Sequence, residues 1–318
     1  MANFTVVTGF FLMGFSNTWD LEVLHAILFL LIYLVALMGN LLIFTLISLD
    51  GKLHTPMYFF LKNLSFLDLC LVSVTVPKSI SNSLSHTYPI SFWGCVSQLF
   101  FMMLFAVSEH FLLTVMSYDR YVAICLPLQY EVIMSSKTCM KMAAASWITG
   151  SLFGVIYTIS TLTLPFCGSK EIHQFFCDVP ALLRTSCSDS HLAVDVTLVL
   201  AFTLGMFCSI YITISYGHII STVLKIPTEE SRSKAFSTCL PHLIVFMFFI
   251  TTGDIAYIRP SQKYDPVVDF LLSMFYTVVP PTLNPVIYSL RNKDMKTALR
   301  KLIAWTYFSR GLIPKFYL

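Results

Sequence analysis

Met116-Ser117-Tyr118-Asp119-Arg120-Tyr121-Val122-Ala123-Ile124-Cys125-Leu126-Pro127-Leu128 puts an acid beside an arginine at the end of a long apolar run. Ionised side chains cost about 2.5–3.5 kcal/mol each at the centre of a membrane helix, so a pair kept at the end of a span is neutralised by a partner or used for function. Two readings stand: a switch, or an anchor in which Arg120 snorkels its guanidinium to lipid headgroups.

Working outward, the composition is that of a chain that lives in lipid. Of 318 residues 56% are hydrophobic and only 12% charged, and Phe alone contributes 28; the mean hydropathy is +0.75. The net charge of +3 is small. The basic residues form no stripe interleaved with aromatics, which argues against nucleic acid as a partner.

A span needs about 20 mostly apolar residues, and seven segments qualify, starting near His25, Pro56, Phe92, Met142, Val196, Ala235 and Phe270. The first (to Leu49), fourth (to Leu164), fifth (to Leu224) and seventh (to Leu290) contain no Asp, Glu, Lys or Arg. The second, third and sixth carry Asp68, Glu109 and Asp254. Runs this long without alternation are helices, because helices satisfy their own backbone in lipid. The expectation is an all-α membrane protein: a seven-transmembrane helix bundle over residues 25–290, an outer N-terminus of residues 1–24 and a cytoplasmic tail of residues 291–318, in one domain spanning 1–318. In the tail, Met295, Leu299, Leu302 and Ile303 recur at helical spacing opposite Lys293, Lys296, Arg300 and Lys301, the pattern of a short interfacial helix. Pro280, Pro281 and Pro285 argue against a straight seventh helix.

With the N-terminus outside, fifteen Lys and Arg fall on the cytoplasmic side and five on the other, the bias of the positive-inside rule. The sequon Asn3-Phe4-Thr5 agrees, since glycans are added on the outer side. The first 24 residues lack the pattern of a cleavable signal, so the first span serves as the insertion signal. Cys95, Cys167, Cys177 and Cys187 then face an oxidising side, whereas Cys70, Cys125, Cys139, Cys208 and Cys239 lie in lipid or on the reducing side. Four outer cysteines allow three pairings. No His-rich spacing accompanies them, which disfavours a metal site.

Further motifs narrow the family. Asp119-Arg120-Tyr121 and Asn284-Pro285-Val286-Ile287-Tyr288 resemble the rhodopsin-like G-protein-coupled receptors. Leu53-His54-Thr55-Pro56-Met57-Tyr58-Phe59-Phe60-Leu61, Asn63-Leu64-Ser65-Phe66-Leu67-Asp68, the stretch from Met116 to Leu128, Lys234-Ala235-Phe236-Ser237-Thr238-Cys239 with His242, and Pro281 to Asn292 resemble the signatures of olfactory receptors. The matches run from the first span to the tail.

The resemblance implies disulfides Cys95–Cys177 and Cys167–Cys187, and a polar, sodium-type site at Asp68 and Glu109 with Asn40 and Asn284 nearby; no other cofactor is expected. Two acids at bilayer depth need a cation, a proton or polar partners in any case. A transporter relay would explain them too, but inverted repeats and paired broken helices are missing. The resemblance makes Arg120 a group that holds Asp119 at rest and is freed to face a G protein, Tyr216 and Tyr288 residues that turn inward on activation, and His242 a restraint close to Arg120. The sequence departs from the family at Leu126, Pro241 and Thr282. Ile250 stands where an aromatic ring is frequent, which unsettles any ring-toggle mechanism.

A ligand site in a helix bundle lies between helices and is mostly apolar. At the right depth stand Met102, Met103 and Ala106, Leu200 and Leu204, Ile250, Gly253, Asp254 and Tyr257, and Met274 and Thr277. Ordinary packing explains any apolar member equally well. The adjacent methionines would let the wall adapt to varied shapes. No nucleophile, base and orienting acid converge at one depth, so no enzyme is read here. The expected function is an odorant receptor of the plasma membrane that binds small hydrophobic molecules and activates a stimulatory, olfactory-type G protein to raise cyclic AMP. The rival reading is a rhodopsin-like chemosensory receptor for a metabolite outside the olfactory epithelium.

Overall fold

A computed structural model describes residues 9–12, 19–85, 88–166, 171–172, 174–187, 192–258, 266–291 and 293–309; of residues 252–258, 266–267, 269–270, 289–291, 293 and 305–309 it describes the backbone alone. In chain order the elements are β1 (Gly9–Leu12), α1 (Trp19–Leu49), α2 (Pro56–Ser85), β2 (Pro89–Ser91), α3 (Phe92–Cys125), α4 (Tyr130–Ile133), α5 (Ser136–Leu162), β3 (Glu171–Ile172), α6 (Val179–Thr185), α7 (Leu192–Leu224), α8 (Glu229–Ile258), α9 (Pro266–Thr277), α10 (Val279–Arg291) and α11 (Lys293–Ser309).

Among the described residues, α1, α2, α3, α5, α7 and α8 are long and apolar enough to cross a membrane. The seventh span is made in two pieces, α9 and α10, which part at Val278. Pro280 and Pro281 fall in the first turn of α10, where a missing N–H leaves no bond unmade. The bonds Val278 N–H to Met274 O (3.0 Å) and Thr282 N–H to Val278 O (3.3 Å) carry the chain across the joint. Many large apolar side chains of α1 and α7 point outward, such as Met38 (70% exposed) and Phe207 (67%). In water such faces would aggregate; in a bilayer they meet acyl chains.

Packing is closest where glycines remove the side chain. On Gly150 of α5 a Cβ would stand 2.0 Å from Ser108 Oγ and 2.4 Å from the Leu104 carbonyl oxygen of α3, and on Gly154 3.0 Å from the Phe100 carbonyl. Gly150 and Gly154 therefore act as a small-xxx-small seam that lets two backbones touch. Gly39 of α1 makes room for the Pro285 ring of α10, which a Cβ there would meet at 2.8 Å.

Beyond the helices lies a small sheet of order β2-β1-β3, with β1 antiparallel to β2 and parallel to β3. Phe10 and Leu12 are buried while Phe11 is 53% exposed, the alternation expected of a strand over a core. The all-α expectation missed this sheet. The tail helix α11 buries Met295 and Ala298 and packs Leu299 and Leu302 on the bundle, while Ile303 stays exposed. Lys301 reaches Asp50 at 3.1 Å. The Lys52 backbone N–H, and then Lys301, lower the Asp50 carboxyl below its ordinary value.

Candidate functional site

At the end of the bundle that carries the sheet, Cys95 is disulfide-bonded to Cys177, as the resemblance implied. Cys187 is disulfide-bonded too; its expected partner Cys167 lies outside the described residues, as does Asn3. Gln98 of α3 ties the roof down, accepting from Cys177 N–H (2.8 Å) and donating to the Val74 carbonyl of α2 (2.9 Å). Asp178 accepts from the hydroxyl of Tyr276 and from Val179 N–H, so the loop is fastened to α9 as well.

Between them α3, α5, α7, α8 and α9, with Leu71 of α2, line a cavity of about 250 Å³. Six of the expected ligand residues line it: Met102, Met103, Ala106, Leu204, Ile250 and Thr277. Two others are turned elsewhere. Leu200 is 42% exposed on the outside of α7, and Met274 packs against the cluster of Phe29, Val72 and Phe175. Both corrections have one cause: successive helical residues turn by about 100°, and in a helix apolar on every side depth alone does not choose the inward face. The side chains of Gly253, Asp254 and Tyr257 lie outside those described. Sequence reading missed His110, Phe153, Tyr157, Phe249 and Tyr276, all of which line the cavity. For His110 a signal existed: it follows Met103 and Ala106 at helical spacing.

Midway, the Asn284 amide donates to both Asp68 oxygens (3.1 and 3.0 Å) and to Glu109 Oε1 (3.4 Å). Asn40 donates to the carbonyls of Pro281 (2.8 Å) and Ala36 (3.0 Å), pinning α1 to the seventh span. Asp68 and Glu109 are fully buried, and Glu109 Oε2 has no hydrogen-bond partner. Two amide protons cannot satisfy two carboxylates, so the pair needs either a proton or a cation. Its donors are all oxygen, the chemistry that suits a hard cation. No cluster of three or more His, Cys, Asp or Glu occurs among the described residues.

At the opposite end of α3 Arg120 grips Asp119 through Nε (2.9 Å) and Nη2, both on Oδ2. Tyr130 of α4 donates to the other oxygen at 2.8 Å. Burial, and then the Asp119 charge, raise the Tyr130 phenol above its ordinary value, so it remains a donor. The arginine is thus held by its neighbour in sequence rather than left to snorkel. Tyr121 turns to α7, its ring 6.0 Å from that of His218.

His242 departs from expectation. Its Nε2 lies 2.8 Å from the Leu113 carbonyl of α3 and its Nδ1 2.7 Å from the Tyr216 hydroxyl of α7. A carbonyl only accepts, so Nε2 carries the proton and Nδ1 accepts from Tyr216. With both nitrogens committed, His242 restrains the α3 backbone and not the Arg120 guanidinium. Arg120, Asp119, His242 and Tyr288 border an inner cavity of about 720 Å³ together with Lys234 and Glu230. Pro285 lies beside Asn284, its ring against Gly39.

Comparisons with known proteins fit this arrangement. The family model described as "Olfactory receptor" matches residues 29–305. Human (Homo sapiens) Olfactory receptor 14A2 is 59% identical over 307 residues, covering 96% of this chain and 98% of that protein. Human Olfactory receptor 14A16 is 55% identical over 303 residues, covering 95% and 98%. The crystal structure of squid rhodopsin superposes with a TM-score of 0.74 at 17% identity, covering 92% of this chain and 88% of that one. With a family model matching most of its length and relatives above half identity across almost all of it, the chain belongs to the olfactory receptor family.

Proposed function

We propose that this multi-pass membrane receptor binds its odorant in the cavity of α3, α5, α7, α8 and α9, and passes the event to a G protein at the inner cavity. The observation that carries the reading is the geometry of α3. One helix lines the apolar chamber with Met102, Met103 and Ala106 and, at its other end, holds the Asp119–Arg120 pair. Ligand binding then shifts populations: an odorant that prefers the arrangement with Arg120 released stabilises that state by its difference in affinity. Tyr216, Tyr288, Asn284 and Pro285 lie along the path between chamber and pair, and we assign them the conformational relay.

The N-terminus is proposed to be outside, with Asn3 glycosylated, on the strength of the Lys and Arg distribution. The G protein is proposed to be the stimulatory olfactory type, raising cyclic AMP. Asp68, Glu109 and Asn284 would hold a sodium ion, whose charge would balance the buried carboxylates. The single domain, residues 1–318, is the unit that signals.

A cyclic AMP screen of chemically varied volatiles on cells expressing the chain tests this reading, with Ala106→Trp as the blocked-cavity control. Agonists active on the wild type should lose potency together in Ala106→Trp at equal surface level. Agonists untouched by the blockage would place the ligand elsewhere.

A further inference from the structure

The wall of the ligand cavity is thinnest along α7. Leu198, Phe202, Gly205 and Ser209 recur at helical spacing and line it, while Val199, Phe207 and Ile210 hold the lipid-facing side of the same helix. Phe202 and Met206 belong to both: they line the cavity and yet are 54% and 44% exposed. Successive residues turn by about 100°, which sets these two on one edge of the lining stripe. The other edge, Ala201 and Leu204, packs on the cluster that holds Met103 of α3 with Phe153 and Tyr157 of α5. The exposed edge therefore borders α8, whose Phe249 and Ile250 form the facing bank.

On the same stripe Gly205 leaves a gap, since a Cβ there would meet nothing within 4 Å. From Ile212 onward α7 and α8 close: Ile212, Tyr216, Ile219 and Val223 are buried with Cys239 and Phe246, and Tyr216 bonds His242. Toward the sheet the bundle is fastened across by Cys95–Cys177, by Gln98 and by Tyr276 on Asp178. The gap itself is apolar. Ser209 gives its hydroxyl proton to the Gly205 carbonyl at 2.9 Å and Thr203 gives its own to Val199 at 2.7 Å, and no Asp, Glu, Lys or Arg lines the cavity. An opening here sets greasy side chains against acyl chains, which a bilayer tolerates.

We propose that the cavity opens sideways between α7 and α8 beside Gly205, and that the receptor takes odorants with a small polar head and an unbranched alkyl tail. The head lodges among the lining hydroxyls of Tyr157 and Thr277, and the tail runs out past Phe202 and Met206 into the bilayer. A closed cavity of about 250 Å³ caps the length of a chain. A side opening removes the cap, because carbons beyond it meet the apolar surroundings that they would have in lipid. The inference rests on the cavity being the odorant site, and its test separates the two.

Cyclic AMP dose–response curves are measured with unbranched primary alcohols and aldehydes from hexyl to dodecyl, and with a decyl alcohol whose far end carries an adamantyl cap, on cells with quantified surface receptor. The wild type should gain about fourfold in potency per added methylene, the transfer of one methylene out of water, with no fall at the long end. It should also answer the capped chain. Gly205→Leu fills the opening; it should keep the short members and lose at least about tenfold for the long and capped ones, the cost of overpacking. Gly217→Leu, at another α7 glycine whose Cβ would meet nothing within 4 Å, should leave the profile unchanged. A wild-type collapse beyond some chain length, silence toward the capped chain or toward both series, or one profile shared by the wild type and Gly205→Leu overturns the proposal. If Gly205→Leu fails to reach the surface, Gly205→Val is read in the same way, and the wild-type profile still decides. Loss of every response in Ala106→Trp at normal surface level upholds the cavity reading whatever the chain-length profile shows, whereas responses unchanged there bring down the cavity reading and the side opening with it.

Discussion

Gly150→Ala is the smallest change that separates close helix packing from helix propensity. A Cβ there would meet Ser108 Oγ at 2.0 Å and the Leu104 carbonyl oxygen at 2.4 Å. The serine hydroxyl can rotate away; the carbonyl belongs to the α3 backbone and cannot. Comfortable contact begins near roughly 3.5 Å, so α3 and α5 must part by about 1 Å along this seam. Forced expansion of a tight contact costs about 1–3 kcal/mol, with a backbone partner toward the upper end. Against that stands a gain of about 0.8–1.0 kcal/mol from replacing glycine inside a helix. The net expectation is a loss of about 2 kcal/mol. Gly217→Ala in α7 is the control, because a Cβ there meets nothing within 4 Å and only the propensity gain applies. The two purified receptors, compared by scanning fluorimetry in the same detergent, should differ by about 3 kcal/mol. That converts to a separation in melting midpoint on the order of 6–12 °C. Gly150→Ala melting at or above the wild type, or both variants shifting alike, would refute the claim that backbone contact at Gly150 sets the α3–α5 distance.

Arg120→Ala should abolish odorant-driven cyclic AMP at near-normal surface expression, since the bidentate hold on Asp119 is local; full signalling in that variant would remove Arg120 from the switch. Cys95→Ser or Cys177→Ser should lower maturation far more than Cys139→Ser, because a bridge closing a long loop contributes about 2–4 kcal/mol; non-reducing mass spectrometry that finds Cys95 and Cys177 as free thiols would contradict the pairing. Sodium chloride should raise the melting midpoint of the purified receptor relative to choline chloride, and Glu109→Gln should cancel the difference. An equal response of both receptors to sodium would exclude the carboxylate pair as its site. Asp254→Asn should weaken basic or hydroxyl-bearing agonists selectively if Asp254 reads the ligand; equal weakening of all agonists with less surface protein would make it structural.

The helices were legible because charge is scarce in lipid, and the runs free of Asp, Glu, Lys and Arg mark where the bilayer is. Their ends were not. The sequence places span four from Met142 and span six from Ala235, whereas α5 starts at Ser136 and α8 at Glu229. Hydropathy reports the hydrocarbon layer, while a helix runs on into the polar region as long as its own backbone ladder holds. The Asp119–Arg120 pair and the meeting of Asp68, Glu109 and Asn284 were legible through motif resemblance. Which apolar residues face the cavity was not, because lipid-facing and core-facing positions are equally greasy: Leu204 lines it and Leu200 does not. Aromatics of α5 such as Phe153 and Tyr157 were hidden for the same reason. The partners of His242 escaped too, since a residue chosen for its proximity to Arg120 spends both nitrogens on Leu113 and Tyr216.

The order in which the sheet is strung sets an order of assembly. β1 is among the first segments synthesised, yet its parallel neighbour β3 comes at Glu171–Ile172, and Cys95 waits 82 residues for Cys177. Contacts so distant along the chain close late. A nascent receptor with four spans already threaded still presents β1 with a bare edge, the kind of surface on which chaperones act and misassembly begins. Residues 9–12 thus precede their partners and settle late, and any delay in making the segment that holds β3 and Cys177 would prolong the time during which the molecule is vulnerable to quality control.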